Sequence, residues 1–232
     1  MEKKSFVCNG QKIDLTLRDQ ADASVAAEIF KLHEYRAADE AIRASVAPVL
    51  DVGAHSGMFS LYCRAINPTV PVYAVEPEPN NFIQLQKHLK ENSINGVIAV
   101  KAALAATTGS ERLAINTDSH NHYLVGETIP PGQRTIAVKT YRFRDFLQDY
   151  SISRVSLLKM DIEGGEYAVF NGFAADDFSL VNFVIMEFHN QGQQTNHQIE
   201  QSLRQHGFSV QTFPSQFDKT MGFIWARNKR VK

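Results

Sequence analysis

The chain has 232 residues, with 24 basic and 25 acidic side chains and a formal net charge of -1. This length suits one sizeable α/β domain and leaves little room for a second full domain. The balanced charge predicts no attraction to nucleic acid or to a membrane surface. Composition therefore argues against the nucleic-acid-binding and membrane-surface classes of protein.

Two features of the sequence concern the cellular compartment. Cys8 and Cys63 lie far apart and lack CxxC or Cys/His ligand spacing, which argues against a structural zinc site and a disulfide-stapled secreted domain. The N-terminus has no apolar signal core, and no later run approaches the ~20 apolar residues of a membrane helix. We therefore expect a cytoplasmic protein without membrane insertion. The sequence indicates no particular oligomeric state.

In chain order, residues 1–45 predict a strand pair followed by a helix over 23–42 that covers the open side of a sheet. In the main domain, residues 46–232, apolar β-rich runs alternate with runs of helical spacing. This alternation predicts an α/β fold with a parallel sheet whose strands are covered on both faces. The predicted strands are 48–53, 71–76, 96–104, 155–161 and 181–189. The predicted helices are 59–66, 81–92, 166–173 and 196–207.

The chain ends with two further predicted strands, 208–213 and 222–228. The eight residues that join them, PSQFDKTM, are too few for a helical crossover. We therefore expect these strands to pair in antiparallel fashion, which makes the last strand antiparallel.

Residues 105–140 form an insertion rich in Gly, Thr, Asn and Pro that departs from the alternation. A long polar insertion in a compact domain is typical of a lid or a binding loop, and a plain surface hairpin is the alternative. Its side chains His120, His122 and Tyr123 are candidates for closing over a bound molecule. Tyr35 could reach the same place, although core packing is the commoner arrangement for a tyrosine.

The run VLDVGAHSGMF places a strand directly before a glycine-containing turn and a helix. Gly53 permits a backbone turn that residues with side chains rarely adopt, and Gly57 lets the helix begin close to a ligand. The frame is D-x-G-x-x-x-G, because His55 and Met58 occupy two glycine positions of the dinucleotide pattern G-x-G-x-x-G. Asp51 would oppose a pyrophosphate and attract a cationic, methionine-like group. A plain strand-to-helix turn is the alternative.

Glu76 ends the second strand of the main domain, beside the crevice of the first strand. A carboxylate in that position can accept hydrogen bonds from both hydroxyls of a ribose. Glu78 follows two residues later and is expected to be solvated. Together with the glycine turn, Glu76 indicates an adenosyl ligand.

Three segments, VLDVGAHSGMFSLY, AVEPEPNNFIQLQKHLKEN and LLKMDIEGGEYAVFNGF, resemble the FkbM-type S-adenosylmethionine-dependent methyltransferases, and the resemblance extends from about residue 28 to residue 190. It implies the Rossmann-like fold of class I methyltransferases, a seven-stranded sheet with helices on both faces. It also implies S-adenosylmethionine at the ends of the first three strands and methyl transfer to a hydroxyl. The cofactor residues that it implies are Asp51, Gly53, Ala54, Gly57 and Glu76, with Ala102 bordering the adenine.

Three carboxylates follow the fourth strand, in the pattern K-x-D-x-E-G-x-E. Since the end of this strand adjoins the crevice of the first, we expect Asp161 to face the reaction centre. It would hold the methionine ammonium of the cofactor, orient the acceptor hydroxyl or help to coordinate a divalent ion. Glu163 and Glu166 share a face of the next helical turn, and we take Glu163 as a site residue and Glu166 as a cap. An acidic surface turn is the alternative.

Glu187 and His189 alternate onto one face of the fifth strand and should point at the same crevice. With Asp161 they could form an oxygen/nitrogen metal site, or His189 could act as a general base near neutral pH. Alternatively, the two side chains bond each other or the insertion. A divalent metal is compatible with these residues, but we predict no metal site.

These observations favour S-adenosylmethionine-dependent O-methylation of a hydroxyl on a sugar, a glycan or a polyketide-like small molecule. A nicotinamide-dependent oxidoreductase and a non-catalytic adenosyl-binding protein are the alternatives. His55 and Met58 count against the first alternative, and the carboxylates after the fourth strand count against the second. The candidate catalytic residues are Asp161, Glu163 and His189, and Asp161 is also a candidate for binding the cofactor.

Overall fold

A computed structural model describes residues 1–116, 122–125, 131–190, 192–215 and 218–230 of the chain. In chain order, the strands are β1 (Glu2–Cys8), β2 (Gln11–Leu17), β3 (Val49–Val52), β4 (Val72–Val75), β5 (Val97–Val100), β6 (Ala103–Leu104), β7 (Gly109–Ala114), β8 (Tyr123–Val125), β9 (Thr135–Tyr141), β10 (Val155–Met160), β11 (Val181–His189), β12 (Phe208–Pro214) and β13 (Met221–Asn228). The α-helices are α1 (Gln20–Ala27), α2 (Asp39–Arg43), α3 (Met58–Ile66), α4 (Pro79–Glu91), α5 (Phe143–Asp149), α6 (Glu166–Asn171) and α7 (Asn196–Gln205). Within the described ranges, no helix has both the length and the apolar character needed to cross a membrane.

Seven strands form the central sheet, in the order β12-β13-β11-β10-β3-β4-β5. The strands from β11 to β5 are parallel to one another, whereas β13 is antiparallel to both β11 and β12. The predicted α/β fold with an antiparallel last strand is therefore confirmed. The chain goes from β3 to β4 on one side and later adds β10 on the other side. This reversal creates the crevice in which sheets of this kind bind ligands.

The four predicted helices of the main domain correspond to α3, α4, α6 and α7. Helix α5 was not predicted, because its seven residues follow the insertion rather than one of the predicted strands. It places Phe143 and Phe146 in the core on the face of the sheet that α6 and α7 also cover.

The single helix expected over residues 23–42 is wrong. Helix α1 continues into a π-helical turn, Glu28–Leu32, and the chain then turns at His33, whose φ is +55°, before a 3₁₀ turn and α2. The break lets Tyr35 pack on Phe59 and Phe223, with ring centroids 4.9 and 5.4 Å apart. The segment therefore follows the shape of the sheet surface rather than crossing it as a rod.

The insertion and the preceding strand β6 form a second sheet, with the strand order β6-β9-β7-β8. Strands β7 and β9 pair in antiparallel fashion over six residue pairs, and β8 adds to the free edge of β7. The described part of the insertion is thus larger than a plain surface hairpin. His120, one of the residues expected to close over a ligand, lies outside the described residues.

The core is divided between the two faces of the central sheet. Leu157 of β10 packs with α3 and the N-terminal segment, while the next residue, Leu158, packs with α5, α6 and α7. Because successive side chains of a strand point to opposite faces, a strand covered on both sides is apolar throughout. The charged exceptions in β3 and β10 are Asp51 and Lys159, and both are buried.

Candidate active site

The turn after β3 approaches the end of β10 very closely. Gly53 has a φ of +72°, and a Cβ atom built on it would lie 1.8 Å from the backbone oxygen of Asp161. The N–H groups of Gly53 and Ala54 both donate to the carbonyl of Val75 at 3.0 Å. Only glycine fits here, since both the left-handed backbone and the contact exclude a side chain.

The same turn ends at Gly57, which precedes α3 with a φ of +80°. A Cβ atom at this position would lie 2.9 Å from Cγ of Leu85 in α4. Gly57 thus permits close packing of α3 on α4, and it lies behind the turn rather than in the wall of a cavity.

A cavity of about 770 Å³ opens at the carboxyl ends of β3, β4, β10 and β11. This volume is typical of small-molecule sites. The strand ends contribute polar groups, β12 and β13 contribute mainly aromatic and apolar ones, and the N-terminal segment contributes both kinds, including Glu28 and Glu34. The residues that line this cavity include Tyr35, Gly53, Ala54, His55, Phe59, Glu76, Leu104, His122, Tyr123, Lys159, Asp161, Glu163, Glu187, His189 and Phe223.

Glu76 is buried at the end of β4 and connects the two strand-to-helix turns. Its carboxylate accepts from the backbone N–H of His55 at 2.8 Å and from that of Glu78 at 2.9 Å. Burial raises the pKa of Glu76 to about 7, although the two N–H donors act in the opposite direction. Each carboxylate oxygen has a second lone pair, so the group can accept further hydrogen bonds from a ligand in the cavity.

The expectation that Glu78 is solvated is wrong. Glu78 is buried and accepts from the backbone N–H of Asn81 at 2.7 Å, which caps the N-terminus of α4. A side-chain acceptor at this position satisfies a helix N–H that would otherwise lack a partner.

Asp51 is completely buried and does not line the cavity. It accepts from the hydroxyl of Ser60 at 2.7 Å and lies 3.4 Å from Nζ of Lys159. The Lys159 ammonium also donates to the carbonyl of Gly53 at 2.8 Å. Burial acts to lower the pKa of Lys159, but the carboxylates of Asp51 and Asp161 outweigh it and raise that pKa. Asp51 thus lies behind the glycine turn, with Lys159 between it and the cavity.

Four side chains form what we call the strand-end cluster: Asp161, Glu163, Glu187 and His189, all of which line the cavity. His189 Nε2 lies 3.6 Å from Oε2 of Glu163. One ligand-type atom from each of Asp161, Glu187 and His189 lies within 4.8 Å of the others. The prediction that Glu187 and His189 point at the crevice with Asp161 agrees with this arrangement.

Glu166, at the start of α6, lies next to the imidazole of the strand-end cluster. It is completely buried at the first position of α6, and its Oε1 accepts from the backbone N–H of Ile162 at 3.0 Å. The same oxygen lies 3.5 Å from Nδ1 of His189. Glu166 therefore bridges the turn between β10 and α6 and also faces the imidazole, whereas α6 itself begins after Gly165 without a side-chain cap, contrary to the predicted role of Glu166.

The proximity of these groups changes their proton affinities. Burial, with a further contribution from the charge of Asp161, raises the pKa of Glu163 to about 7 and also raises that of Glu187. Burial acts to lower the pKa of His189, but the carboxylates of Glu166 and Glu163 outweigh it and raise the pKa to about 9. Without a bound cation, the imidazole therefore favours its protonated form at neutral pH. Its role as a general base stays a prediction.

The structure brings six of the nine candidate residues to the cavity. Those that line it are Gly53, Ala54, Glu76, Asp161, Glu163 and His189, and those that do not are Asp51, Gly57 and Ala102. The predicted strand 96–104 ends at Val100, and Ala103 and Leu104, which form β6 of the second sheet, line the cavity in place of Ala102. The individual roles of all these residues stay predictions.

Two features of the site were missed in the sequence. One is Lys159, although a lysine inside the apolar strand VSLLKMD is itself an unusual signal. The other is the contact of the N-terminal segment with the glycine turn: Arg18 Nη2 lies 3.3 Å from His55 Nε2 and donates to Asn81 Oδ1 at 2.8 Å. This contact joins residues far apart in the chain, so no local pattern could have indicated it.

Residues 51–210 match the family described as "Methyltransferase FkbM domain". The chain belongs to this family. The resemblance seen in the sequence is thereby confirmed, and the alternative of a nicotinamide-dependent oxidoreductase loses its support. S-adenosylmethionine is the methyl donor of methyltransferases with this fold.

Three curated relatives are similar to the chain. Methyltransferase 1 of Beauveria bassiana is 28% identical over 157 residues, which cover 60% of this chain and 63% of that protein. The 31-O-demethyl-FK506 methyltransferase FkbM of Streptomyces tacrolimicus is 25% identical, with coverage of 70% and 72%. The hexuronic acid methyltransferase AglP of Haloferax volcanii is 25% identical, with coverage of 70% and 66%. The chain thus spans about two thirds of the length of these relatives.

Solved structures with a similar fold are also methyltransferases. Magnesium protoporphyrin IX methyltransferase from Synechocystis, with bound S-adenosylmethionine, has a TM-score of 0.53 and 11% identity, covering 92% of this chain and 86% of that one. Precorrin-6y C5,15-methyltransferase from Geobacter metallireducens has a TM-score of 0.51 and 13% identity, with coverage of 84% and 87%. These similarities establish the class I methyltransferase fold.

Replacement of Gly53 by Ala should destabilise the protein much more than replacement of Gly10, a matched control. Both glycines have left-handed backbones, with φ of +72° and +77°, and share a conformational cost of roughly 1–2 kcal/mol. Only at Gly53 would the new methyl group overlap the backbone oxygen of Asp161; near Gly10 the described residues leave the space open. Denaturant unfolding should give a loss of several kcal/mol for Gly53→Ala or no folded protein at all. Equal losses in the two variants would contradict the close contact between the two strand ends.

Replacement of Glu76 by Gln should change how stability depends on pH. The folded-state pKa of about 7 exceeds the ordinary value of 4.5, so the wild-type protein loses stability as pH rises through this window. Glutamine does not ionise and lacks this loss. The difference in the free energy of unfolding, variant minus wild type, should therefore increase by on the order of 3 kcal/mol between about pH 5 and pH 8. Denaturant unfolding of both proteins at the two pH values measures the gain, and a pH-independent difference would mean that Glu76 ionises normally.

Proposed function

We propose that the protein is an S-adenosylmethionine-dependent O-methyltransferase that acts on a hydroxyl of a sugar, a glycan or a polyketide-like small molecule. The observation that carries this proposal is the convergence of Asp161, Glu163, Glu187 and His189 on one side of the cavity, next to the Gly53 turn. Carboxylates and an imidazole are groups that can orient a hydroxyl and accept its proton. The family supplies the reaction type, and the strand-end cluster supplies the argument for oxygen as the acceptor.

The residues of the cavity fit the methyl donor. Glu76 would hold the ribose, because its carboxylate is fixed by two backbone N–H groups and retains lone pairs for two hydroxyls. Asp161 would hold the methionine ammonium or lie beside it, because its carboxylate is partly exposed at the end of β10. When bound, the donor supplies a methyl group on a cationic sulfur. The acids of the cavity favour that positive charge.

The chain itself would contribute positioning, desolvation and proton transfer. In-line transfer requires the acceptor oxygen to be held against the methyl group, so orientation carries much of the acceleration. Asp161 and Glu163 would accept the hydrogen bond of the acceptor hydroxyl and direct its lone pair. Tyr35, Phe59 and Phe223 would exclude water from the other side, since their rings pack together in the cavity wall. The hydroxyl proton would leave to a carboxylate of the strand-end cluster.

Two arguments support the acceptor class. The names of two relatives mention a demethylated FK506 and a hexuronic acid, which are oxygen-rich small molecules or sugars. The acidic lining adds a second argument, because Asp161, Glu163 and Glu187 lie together on one side of the cavity and disfavour a further anionic group beside them. We therefore favour a neutral polyhydroxylated acceptor over a sugar acid.

The protein should bind S-adenosylhomocysteine but not NAD⁺, because Asp51 and Lys159 occupy the space behind the glycine turn and no G-x-G-x-x-G loop is present for a pyrophosphate. Isothermal titration calorimetry with each compound measures this directly. Glu76→Ala should weaken S-adenosylhomocysteine binding about 10- to 100-fold, the effect of losing charge-assisted hydrogen bonds. Binding of NAD⁺ without any response to S-adenosylhomocysteine would overturn the proposed function.

Asp161→Asn should reduce methyl transfer by at least ~10²-fold, the effect typical of a positioned acid or base. Stability should be nearly unchanged, because the side chain is partly exposed and the substitution keeps its volume. Transfer from labelled S-adenosylmethionine to a panel of neutral hydroxylated acceptors measures turnover. Asp149→Asn, at an exposed position of α5, is the matched control. Wild-type turnover in the Asp161 variant would remove this carboxylate from the mechanism.

A further inference from the structure

Asp161, Glu187 and His189 are arranged as the ligands of a single ion. One oxygen or nitrogen atom from each lies within 4.8 Å of the other two. Ligand bonds to a divalent cation are about 2.0–2.2 Å long, so three ligand atoms of one ion lie roughly 3.0–3.7 Å from one another. Side-chain rotations that draw these three atoms closer together would therefore bring all three groups onto one ion.

The backbone fixes this arrangement. Glu187 and His189 lie two residues apart on β11, so their side chains share one face, and Asp161 directly follows the adjacent parallel strand β10. Sites built on strands hold their ligands more precisely than sites on loops. The group does not depend on the insertion or on the chain termini.

His189 supplies an independent observation. Its side chain is 9% exposed, and among the described residues its Nδ1 has no hydrogen-bond partner. Nδ1 faces Oε1 of the buried Glu166 at 3.5 Å, whereas Nε2 faces the Glu163 carboxylate at the cavity side. A histidine that binds a metal through one nitrogen commonly directs the other at a carboxylate. Glu166 stands in that supporting position, which leaves Nε2 for an ion.

The charges of the surroundings favour a cation. Four carboxylates, those of Asp161, Glu163, Glu166 and Glu187, surround one imidazole. The Lys159 ammonium lies 4.0 Å from the Asp161 carboxylate and donates to the carbonyl of Gly53 instead. Buried carboxylates are stable when they are paired or coordinate a metal. The described part of the chain offers them too little positive charge.

We propose that Asp161, Glu187 and His189 bind one divalent cation of the Mn²⁺ or Mg²⁺ type at the carboxyl ends of β10 and β11. Two carboxylates and one imidazole form a mixed oxygen and nitrogen set, which suits Mn²⁺ better than a thiolate-seeking metal. Three protein ligands leave coordination positions open to the cavity. The binding of the ion stands by itself, whereas its use in catalysis rests on the proposed function.

An ion at this place would select the acceptor. It would attract an oxygen of the acceptor and lower the pKa of a hydroxyl that it holds. An acceptor with two neighbouring oxygens, such as a vicinal diol or an α-hydroxy ketone, would fill two open positions at once. The acceptor class would therefore be narrowed from any hydroxyl to a hydroxyl with an adjacent oxygen.

The site can be tested without any methyl donor by titrating the protein with Mn²⁺. Binding is monitored as the loss of the electron paramagnetic resonance signal of the free ion. We expect one Mn²⁺ per chain, displaced by excess Mg²⁺. Glu187→Gln and His189→Gln should each weaken Mn²⁺ binding at least ~10-fold, the effect of disturbing a metal ligand or its support. Glu40→Gln and His197→Gln, at exposed positions of α2 and α7, are the matched controls and should bind as the wild type does.

Circular dichroism should show folded protein for each variant. If Glu187→Gln does not fold, Asp161→Asn decides the matter, because the partly exposed Asp161 side chain tolerates a neutral isostere. The inference is overturned if the wild type shows no saturable Mn²⁺ binding up to roughly millimolar ion, the weak end of biological sites. It is equally overturned if the ligand variants bind Mn²⁺ as tightly as the controls.

The two proposals can fail separately. Binding of S-adenosylhomocysteine without binding of Mn²⁺ would overturn the metal site and leave the methyltransferase. Binding of Mn²⁺ without binding of S-adenosylhomocysteine would do the reverse. Where both bind, chelator should abolish methyl transfer and added Mn²⁺ should restore it; full activity in chelator would confine the ion to a structural role and refute its contact with the acceptor.

Discussion

The site depends on the pairing of two buried charges in the middle of the central sheet. Lys159 of β10 lies directly opposite Asp51 in the parallel register with β3, and its ammonium is 3.4 Å from that carboxylate. Neither charge reaches solvent to any extent. A shift of the register by one residue would bury both groups without partners, at a cost of several kcal/mol. The charge pair therefore specifies how β10 and β3 are aligned.

That alignment places the functional residues. Two residues beyond Asp51 lies Gly53, and two residues beyond Lys159 lies Asp161, so the same register brings the glycine turn against the first residue of the strand-end cluster. Strand β11 continues the row, because its register with β10 places Glu187 two residues beyond the partner of Lys159. The part of the cavity suited to the methyl donor and the acidic part suited to an acceptor are thus adjacent by strand geometry alone.

Much of this could be predicted from the sequence, because the relevant signals are local. Apolar runs with intervening helical spacing indicated the sheet, Gly53 indicated the turn, and the alternation of Glu187 and His189 indicated a shared face. What could not be predicted depends on contacts between distant residues. The break at His33 serves the packing of Tyr35 on Phe223, nearly two hundred positions along the chain. Glu78 is a different case, because it caps α4 through Asn81, only three residues away, and the proline that follows it is itself a local signal of a helix start. Likewise, the sequence indicated that Asp51 belongs near the glycine turn. Its position behind that turn depends on its pairing with Lys159, which no local pattern revealed.

The strand-end cluster is costly to fold. Glu163 adopts a left-handed backbone with a φ of +57°, and His55, which also lines the cavity, has a φ of +50°. Such conformations in residues other than glycine cost on the order of 1–3 kcal/mol each and concentrate at functional sites. Burial of these carboxylates, together with repulsion from Asp161, raises the pKa values of Glu163 and Glu187. A positively charged ligand in the cavity offsets this repulsion, whether its charge lies on a sulfonium, an ammonium or a divalent metal. The acids that weaken the free protein are therefore the same groups that give it affinity for a cation, and binding of a cation must stabilise the fold by linkage.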